Sequence, residues 1–217
     1  MCGIAGIVST KIHEADLLER MLSRIAHRGP EYQGVWSNED KTVLLGHRRL
    51  AIIDLSPTGR QPMQRERGRF TITFNGEIYN YQELKKELEQ KGATFNTASD
   101  TEVILAAYQQ WGMACVKRIH GMFAFAIWDD VTKKLFAARD RIGEKPFKYW
   151  YHNGTLVFAS EIKALLEYPH IPRQINWDMI DIALSVRFIP SPETGFIGIH
   201  KLPPAHTLLW EKGALTI

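Results

Sequence analysis

Cysteine is scarce in this chain of 217 residues, where only Cys2 and Cys115 occur. Two cysteines exclude a disulfide framework and a cysteine zinc cluster. The chain also lacks a run of 18 apolar residues and lacks an N-terminal basic stretch followed by an apolar one. Neither a transmembrane helix nor a secretory signal is therefore predicted. The expected localisation is cytoplasmic, where a reducing environment keeps a catalytic thiol free.

The chain also lacks a large excess of positive or negative charge. The net charge is +3, charged residues make up 24% of the chain, and no basic run occurs. This interleaving predicts no nucleic acid and no membrane partner. Repeats, low-complexity segments and internal linkers are also absent, and hydrophobic residues make up 45%. Length and composition together predict one domain over residues 1–217.

Apolar periodicity and turn residues predict the secondary structure. Strands are predicted at Gly3–Val8, Thr42–Gly46, Leu50–Ile53, Phe70–Phe74, Met122–Trp128, Lys134–Ala138, Phe147–Tyr151 and Leu156–Ala159, with a hairpin over Leu208–Ile217. Helices are predicted at Glu14–Ala26, Asn80–Lys91, Ser99–Trp111, Glu161–Glu167 and Trp177–Val186. Asn75-Gly76 is predicted to be a turn, and Asn80 and Ser99 are predicted to begin capping boxes. Strands grouped in hairpins favour an α+β fold with antiparallel sheets.

Cys2 lies directly behind Met1. If Met1 is removed, Cys2 carries both a thiol, with a free pKa of roughly 8.5, and an α-amino group, with a pKa of roughly 7.7–8.0. A nucleophile and a general base would then share one residue. The alternative is that Met1 stays and Cys2 is a small buried residue at the start of a strand.

Three further segments carry groups that could hold a polar substrate. Arg49 can bind a carboxylate through two parallel hydrogen bonds. Asn75 and the N–H of Gly76 can form an oxyanion hole. Asp100 can accept an ammonium group, although an acid at a helix start also offsets the helix dipole. With Cys2, this set suits an α-amino acid with a reactive side-chain carbonyl, a description that fits glutamine and asparagine equally.

Seven ordered strings resemble one protein family. They are Met1–Gly6, His27–Pro30, Arg49–Asp54, Gln61–Met63, Phe74–Asn80, Ser99–Glu102 and Phe158–Lys163. Together they are similar to the glutaminase domain of class II glutamine amidotransferases, in particular the glutamine-hydrolysing asparagine synthetase type. The resemblance implies the N-terminal nucleophile hydrolase fold, a four-layer αββα sandwich with two antiparallel sheets.

The resemblance also implies roles for individual residues. Cys2, exposed by removal of Met1, would attack the side-chain amide of glutamine, and Asn75 and Gly76 would hold the oxyanion. The substrate-binding residues would be Arg49 for the carboxylate, Glu77 and Asp100 for the ammonium group, and backbone groups of Ile52 and Ile53. A γ-glutamyl thioester would form on Cys2 and water would release glutamate. No metal and no cofactor is expected for this reaction.

The chain departs from the family at three places. Glu31 stands where the family has aspartate, and Lys145–Tyr149 reads KPFKY where the family has lysine-proline-leucine-tyrosine-tyrosine. The third departure is larger. Relatives continue into a synthetase domain with a serine-glycine-glycine loop that binds ATP with Mg, and this loop is absent here. The chain is thus expected to be the N-terminal part of a longer synthetase, with the synthetase domain as partner; the oligomeric state, a homodimer included, stays open.

Two other functions remain open at this point. One is an N-terminal nucleophile amidohydrolase that acts on another amide, which substrate competition would reveal. The other is an interaction domain that keeps the fold without activity, which retention of Met1 would favour because Cys2 would then lack a free amine.

Overall fold

Strands dominate the computed structural model, which describes residues 1–50 and 56–217. The strands are β1 (Gly3–Val8), β2 (Tyr32–Ser37), β3 (Val43–Arg49), β4 (Met63–Arg65), β5 (Phe70–Ile78), β6 (Gly121–Asp129), β7 (Lys134–Arg139), β8 (Lys148–His152), β9 (Thr155–Ala159), β10 (Ile199–Lys201), β11 (Thr207–Glu211) and β12 (Ala214–Thr216). The helices are α1 (Ala15–Arg24), α2 (Tyr81–Gln90), α3 (Asp100–Trp111), α4 (Ile162–Leu165) and α5 (Trp177–Val186).

The described strands form two six-stranded sheets. The first has the order β10-β8-β9-β1-β3-β2 and the second has the order β12-β11-β7-β6-β5-β4. Neighbouring strands pair antiparallel in both sheets. The predicted α+β class with two antiparallel sheets is confirmed.

Three apolar clusters separate four layers. One lies between the two sheets and includes Ile4 and Trp128. A second joins the second sheet to α2 and α3, and buries Cys115. A third joins the first sheet to α1 and α4. Every residue of β1 is buried because this strand has a covered layer on each face, which explains its continuous apolar sequence. The predicted αββα sandwich is confirmed.

The predicted turn at Asn75-Gly76 is wrong. β5 continues through both residues to Ile78, and its pairing with β6 runs in unbroken register from Phe70↔Asp129 to Ile78↔Gly121. A two-residue turn preference is local, and nine residues of cross-strand pairing outweigh it. Asn75 and Gly76 are therefore held in a regular strand.

The strand boundaries around Arg49 also differ from the prediction. Arg49 is the last residue of β3 and not the residue before a new strand. Leu50 is outside any strand, and the remainder of the predicted Leu50–Ile53 strand lies outside the described residues. Strands β2, β4 and β10 were not predicted. Two of them, β4 and β10, have three residues each, which is too short for a period-2 pattern.

The two predicted capping boxes do not form as expected. Ser99 caps α3 by accepting the Thr101 N–H at 3.2 Å, but the Glu102 carboxylate binds the N–H groups of Asn96 and Thr97 instead of closing the box. The Asn80 side chain donates to the Arg118 carbonyl and accepts the His120 N–H, so it does not cap α2. Side chains at these positions are used to hold neighbouring loops.

Helix α5 differs from the other long helices because none of its residues is buried. Trp177 is 70% exposed and Leu184 is 80% exposed. The residue before the helix, Asn176, donates its N–H to the Gly195 carbonyl at 3.0 Å. In the part of the chain that the structure describes, no helix is long and apolar enough to cross a membrane.

Candidate active site

Cys2 lies just ahead of β1, beside the end of β3. Its Sγ is 3.4 Å from both the carbonyl oxygen and the amide nitrogen of Leu50, so the thiol can donate to one and accept from the other. The Cys2 carbonyl accepts the Arg28 Nε–H at 2.9 Å. These contacts fix the backbone and the sulfur of a half-buried thiol.

The surroundings of Cys2 favour the protonated thiol. Burial raises the pKa of Cys2, while the Leu50 N–H, the N-terminal ammonium and the Arg49 guanidinium lower it, and Asp100 raises it; the pKa is raised overall. A thiol in this state needs a base before it can act as a nucleophile. The α-amino group here belongs to Met1, which is 57% exposed at the surface.

Asn75 presents an unused hydrogen-bond donor. Its side chain is buried, at 1% exposure, and its Nδ2 has no hydrogen-bond partner among the described residues. An unpaired buried donor costs about 1–3 kcal/mol, and most buried polar groups avoid this cost. The amide is therefore prepared for a ligand acceptor, as an oxyanion-hole donor would be.

Gly76 follows Asn75 on β5, opposite Phe123 of β6. A Cβ atom at position 76 would lie 2.2 Å from the Met122 carbonyl oxygen and 2.8 Å from the Phe123 Cα. Both contacts are with backbone atoms, which cannot rotate away. Only glycine allows β5 and β6 to pair this closely.

A set of hydrogen bonds behind Asn75 fixes the position of β5. The Gln61 side chain accepts the Phe74 N–H at 2.6 Å and donates to the Thr101 hydroxyl at 3.2 Å. On the other side, the Thr73 hydroxyl donates to the Gly46 carbonyl at 2.8 Å, and His47 Nε2 lies 3.0 Å from the Phe74 carbonyl. The strand that carries Asn75 is thereby connected to both α3 and β3.

Asp100 is the first residue of α3 and is 5% exposed. Burial raises the pKa of its carboxyl to about 6, against the lowering effect of the Ile78 and Thr101 N–H groups, and the negative charge of Glu77 adds to the rise. Its Oδ2 accepts the Ile78 N–H at 3.0 Å. Two neighbouring carboxylates, one of them buried, would be stabilised by a cation placed between them.

Arg49 supplies a positive charge near the thiol. Its side chain is buried and its Nη1 donates to the Ser56 carbonyl at 2.9 Å. The charges of Arg49 and Asp100 act on Cys2 in opposite directions. The structure therefore brings one cation and one buried acid to the thiol, as a zwitterionic substrate would require.

The predicted site residues fall into three groups. In the first group, the charges of Arg49 and Asp100 both affect the pKa of the Cys2 thiol. The second group, Asn75, Gly76 and Glu77, is consecutive on β5. Ile52 and Ile53 lie outside the described residues. The catalytic and binding roles of all eight residues stay predictions. Among the described residues, no group of three or more histidine, cysteine, aspartate or glutamate side chains could hold a metal ion.

Two residues that support Cys2 were not singled out from the sequence. Ser160 makes two hydrogen bonds to Ile4 of β1. Its Oγ accepts the Ile4 N–H at 3.0 Å, and its own N–H donates to the Ile4 carbonyl at 2.9 Å. Glu161 binds Arg28 Nη1 at 2.9 Å. Burial alone would raise the pKa of Glu161, but hydrogen bonds from Arg28, Lys163 and His27 lower it to about 2. Only the family resemblance of Phe158–Lys163 drew attention to this segment.

Comparison with known proteins agrees with this arrangement. A family model described as a glutamine amidotransferase domain matches residues 1–217. The chain belongs to the glutamine amidotransferase domain family. Among curated relatives of this domain, asparagine synthetase [glutamine-hydrolyzing] 3 of Bacillus subtilis is 41% identical over all of the chain and 36% of its own length. A putative asparagine synthetase [glutamine-hydrolyzing] 2 of Methanocaldococcus jannaschii is 36% identical over 97% of the chain and 44% of its own length.

The amidotransferase domain thus spans less than half the length of these curated relatives. A relative of a different name, the amidase chry2 of Gibberella zeae, is 36% identical over 96% of the chain and 32% of its own length. Among solved structures, the glutamine phosphoribosylpyrophosphate amidotransferase of B. subtilis aligns over 99% of the chain and 48% of its own length, with a TM-score of 0.73 and 20% identity. At that identity the likeness shows the fold, which is the predicted N-terminal nucleophile sandwich.

Proposed function

We propose that this domain hydrolyses L-glutamine to L-glutamate and ammonia through a γ-glutamyl thioester on Cys2. The observation that carries the proposal is that the charges of both Arg49 and Asp100 act on the Cys2 thiol, with the unpaired Asn75 amide on β5 of the facing sheet. A free α-amino acid offers a carboxylate to the cation, an ammonium to the acid and a side-chain carbonyl to the thiol and the amide.

The first half of the reaction forms the thioester. Removal of the exposed Met1 gives Cys2 a free α-amino group, which in its neutral form takes the Sγ proton. The thiolate attacks the amide carbon of the glutamine side chain. The Asn75 amide and the Gly76 N–H donate to the resulting oxyanion, and the α-amino group returns the proton to the departing nitrogen as the C–N bond breaks and ammonia leaves.

The second half consumes water. The α-amino group takes a proton from water, the hydroxide attacks the thioester carbon, and the same two donors hold the second oxyanion. Collapse of this intermediate breaks the C–S bond, the proton passes to Sγ, and glutamate leaves. No step uses a metal or a cofactor.

Substrate binding follows from the charges around the thiol. Arg49 pairs with the α-carboxylate, and Asp100 and Glu77 pair with the α-ammonium. Because burial brings the Asp100 pKa to about 6, this carboxyl is mostly ionised at pH 7, and a bound ammonium would lower its pKa further. The pocket therefore favours the zwitterion at neutral pH.

In the context of a longer protein, the ammonia would serve an ATP-dependent ligase of the asparagine synthetase type in the cytoplasm. This assignment is supported by relatives named glutamine-hydrolysing asparagine synthetases, which are 36–41% identical. ATP and Mg would be needed only by the synthetase domain. The relative named as an amidase supports a second candidate, which is hydrolysis of another amide by the same thiol.

The test is release of glutamate from glutamine by protein whose Met1 removal has been verified by intact mass. Cys2→Ala should abolish release, whereas Cys115→Ala should leave it unchanged because Cys115 is buried in the core and has no role in the proposed reaction. A fully trimmed, folded protein that releases no glutamate between pH 6 and pH 9 would contradict the proposal. Faster thioester formation with other amides than with glutamine would favour the second candidate.

A further inference from the structure

Four cationic side chains lie close to one another near the beginning of β1, two of them on the first sheet, one on the second sheet and one on the turn after α1. Lys148 begins β8 and Lys201 ends β10, and the two are direct cross-strand partners. Arg139 ends β7, and its Nη1 donates to the carbonyl of Leu202, the residue after Lys201. Like charges placed directly opposite each other on neighbouring strands destabilise a sheet, so this arrangement requires a compensating group.

Most hydrogen bonds of these cations are made to neutral oxygens. Lys148 Nζ donates to the Ser160 carbonyl at 3.2 Å, and Lys201 Nζ donates to the Ile189 carbonyl. Arg139 donates to three carbonyls, those of Gly143, Lys145 and Leu202. Carbonyl oxygens satisfy N–H donors but leave the net positive charge in place.

Arg28 supplies the fourth charge and an unused donor. Its side chain is 9% exposed. Nε binds the Cys2 carbonyl and Nη1 binds Glu161, but the buried Nη2 has no partner among the described residues. Guanidinium groups bind carboxylate and phosphate through paired N–H groups, so the free Nη2 suits an oxyanion ligand.

The acidic side chains Glu161 and Asp140, near these cations, already accept several hydrogen bonds. Glu161 accepts from Arg28, His27 and Lys163. The Asp140 carboxylate accepts the backbone N–H groups of Phe123, Ile142, Glu144 and Lys145. These two acids leave the four cations with a net positive charge.

The ionisation of Lys148 reflects this imbalance. Burial lowers the pKa of Lys148 to about 8, and the charges of Arg139, Arg28 and Lys201 add to the decrease, against the opposite effect of Glu161. A bound anion would remove the repulsion between these cations. Lys148 also stands where the amidotransferase resemblance leads one to expect tyrosine, so this positive charge is a particular feature of the chain.

We propose that Arg28, Arg139, Lys148 and Lys201 form a binding site for a small oxyanion that carries a carboxylate or a phosphate group. The ligand would lie beside the β1 backbone that carries Cys2, receiving N–H donors from Arg28 Nη2 and from the Lys148 ammonium. This site is separate from the Arg49 carboxylate site of the proposed glutaminase reaction, and it does not depend on that reaction.

Calorimetric titration at pH 7 and constant ionic strength tests the site, with phosphate and acetate as separate probes. The wild-type chain should bind at least one of them saturably at one site per chain. Lys148→Tyr and Lys201→Gln should each weaken binding at least tenfold. Lys91→Gln removes an exposed lysine at the end of α2 and should not change binding. Stronger binding of acetate would identify a carboxylate ligand, and stronger binding of phosphate a phosphorylated one.

Thermal unfolding separates loss of binding from loss of folding. Without either probe, Lys148→Tyr should melt at the wild-type temperature or above it because it removes a half-buried charge from among three others. The probe that binds should raise the melting temperature of wild type and of Lys91→Gln but not that of Lys148→Tyr. The proposal is overturned if neither probe binds wild type saturably, or if Lys148→Tyr binds as tightly as wild type.

Discussion

The two sides of the Cys2 site differ in charge and in construction. The acidic wall, formed by Glu77 of β5 and Asp100 of α3, belongs to the second sheet and its helix layer. The basic wall, formed by Arg49 of β3 and, at the separate anion site, by Lys148 of β8, belongs to the first sheet. Each wall holds one group whose pKa is shifted toward 7, since the pKa of Asp100 is raised to about 6 and that of Lys148 is lowered to about 8. Burial disfavours both charges, and a ligand of opposite charge would favour the ionised form of each group.

Gly76→Ala should produce the largest loss of stability, because it would push β5, which carries Glu77, away from β6. The new Cβ would lie 2.2 Å from the Met122 carbonyl oxygen, so β5 and β6 would have to move apart. Overpacking against backbone should lower the free energy of unfolding by about 4 kcal/mol. Urea unfolding measures this loss, and a change below about 1 kcal/mol would contradict the close approach of the two strands. Gly195→Ala, where the added Cβ would meet only side-chain atoms at 3.5 Å or more, controls for the intrinsic effect of replacing a glycine.

Asn75→Ala should separate catalysis from stability. Loss of one oxyanion donor should lower kcat about 10²–10³-fold, while stability should change little because Nδ2 has no partner to lose. Glutamate release and urea unfolding measure the two effects. Thr71→Ala is the matched control on the same strand, because it removes a buried hydroxyl that accepts from Gln64 and should lower stability without lowering kcat of the folded protein. Equal losses of kcat in both variants would exclude the donor role of Asn75.

Asp100→Asn should reveal how much the buried Asp100 carboxylate lowers the free energy of unfolding. The pKa of Asp100 is raised on folding, so its ionisation destabilises the folded chain above about pH 6, and this cost disappears as the pH falls toward the unfolded value. Asparagine avoids the cost, and the variant should be about 1–3 kcal/mol more stable than wild type at pH 8. The advantage should shrink by pH 5, as measured by urea unfolding, while KM for glutamine rises about tenfold. A stability difference that is independent of pH would contradict the raised pKa.

Lys133→Ala should have the smallest effect and sets the baseline for charges outside both walls. Lys133 pairs with Asp130 at 2.8 Å on the β6–β7 turn, where both side chains are about half exposed. Exposed pairs of this kind contribute about 0–1 kcal/mol. We expect a stability change below about 0.5 kcal/mol and unchanged glutamate release. A larger loss would mean that surface charge in general, and not burial at the walls, governs the stability of the chain.

Much of the fold was accessible from the sequence because strong periodic patterns specify it. β1 and α5 were predicted with the bounds that the structure shows. Errors arose where tertiary contacts override a local signal, as at Asn75-Gly76, where pairing with β6 continues the strand. Asn80 failed as a helix cap for the same reason, since its side chain binds a segment about 40 residues away.

The candidate site was predicted in part. Residue chemistry pointed to Cys2, Arg49, Asn75 and Asp100, and the structure places Cys2 under the influence of both Arg49 and Asp100. Residue type alone could not reveal that Gln61 bridges Phe74 and Thr101 or that Ser160 holds Ile4. These are buried amide and hydroxyl groups whose partners are distant in sequence. Only the three-dimensional path of the chain brings such partners together.

Helix α5 should unfold locally far more often than the two sheets do. With none of its side chains buried, opening it exposes little new apolar surface, so local unfolding there should be far more frequent than global unfolding. Its amide protons should exchange with solvent long before those of β1 or β5, and a protease should cut within it first. Such a cut would leave the two sheets and the Cys2 site in place. Cleavage within α5 should therefore not inactivate the domain.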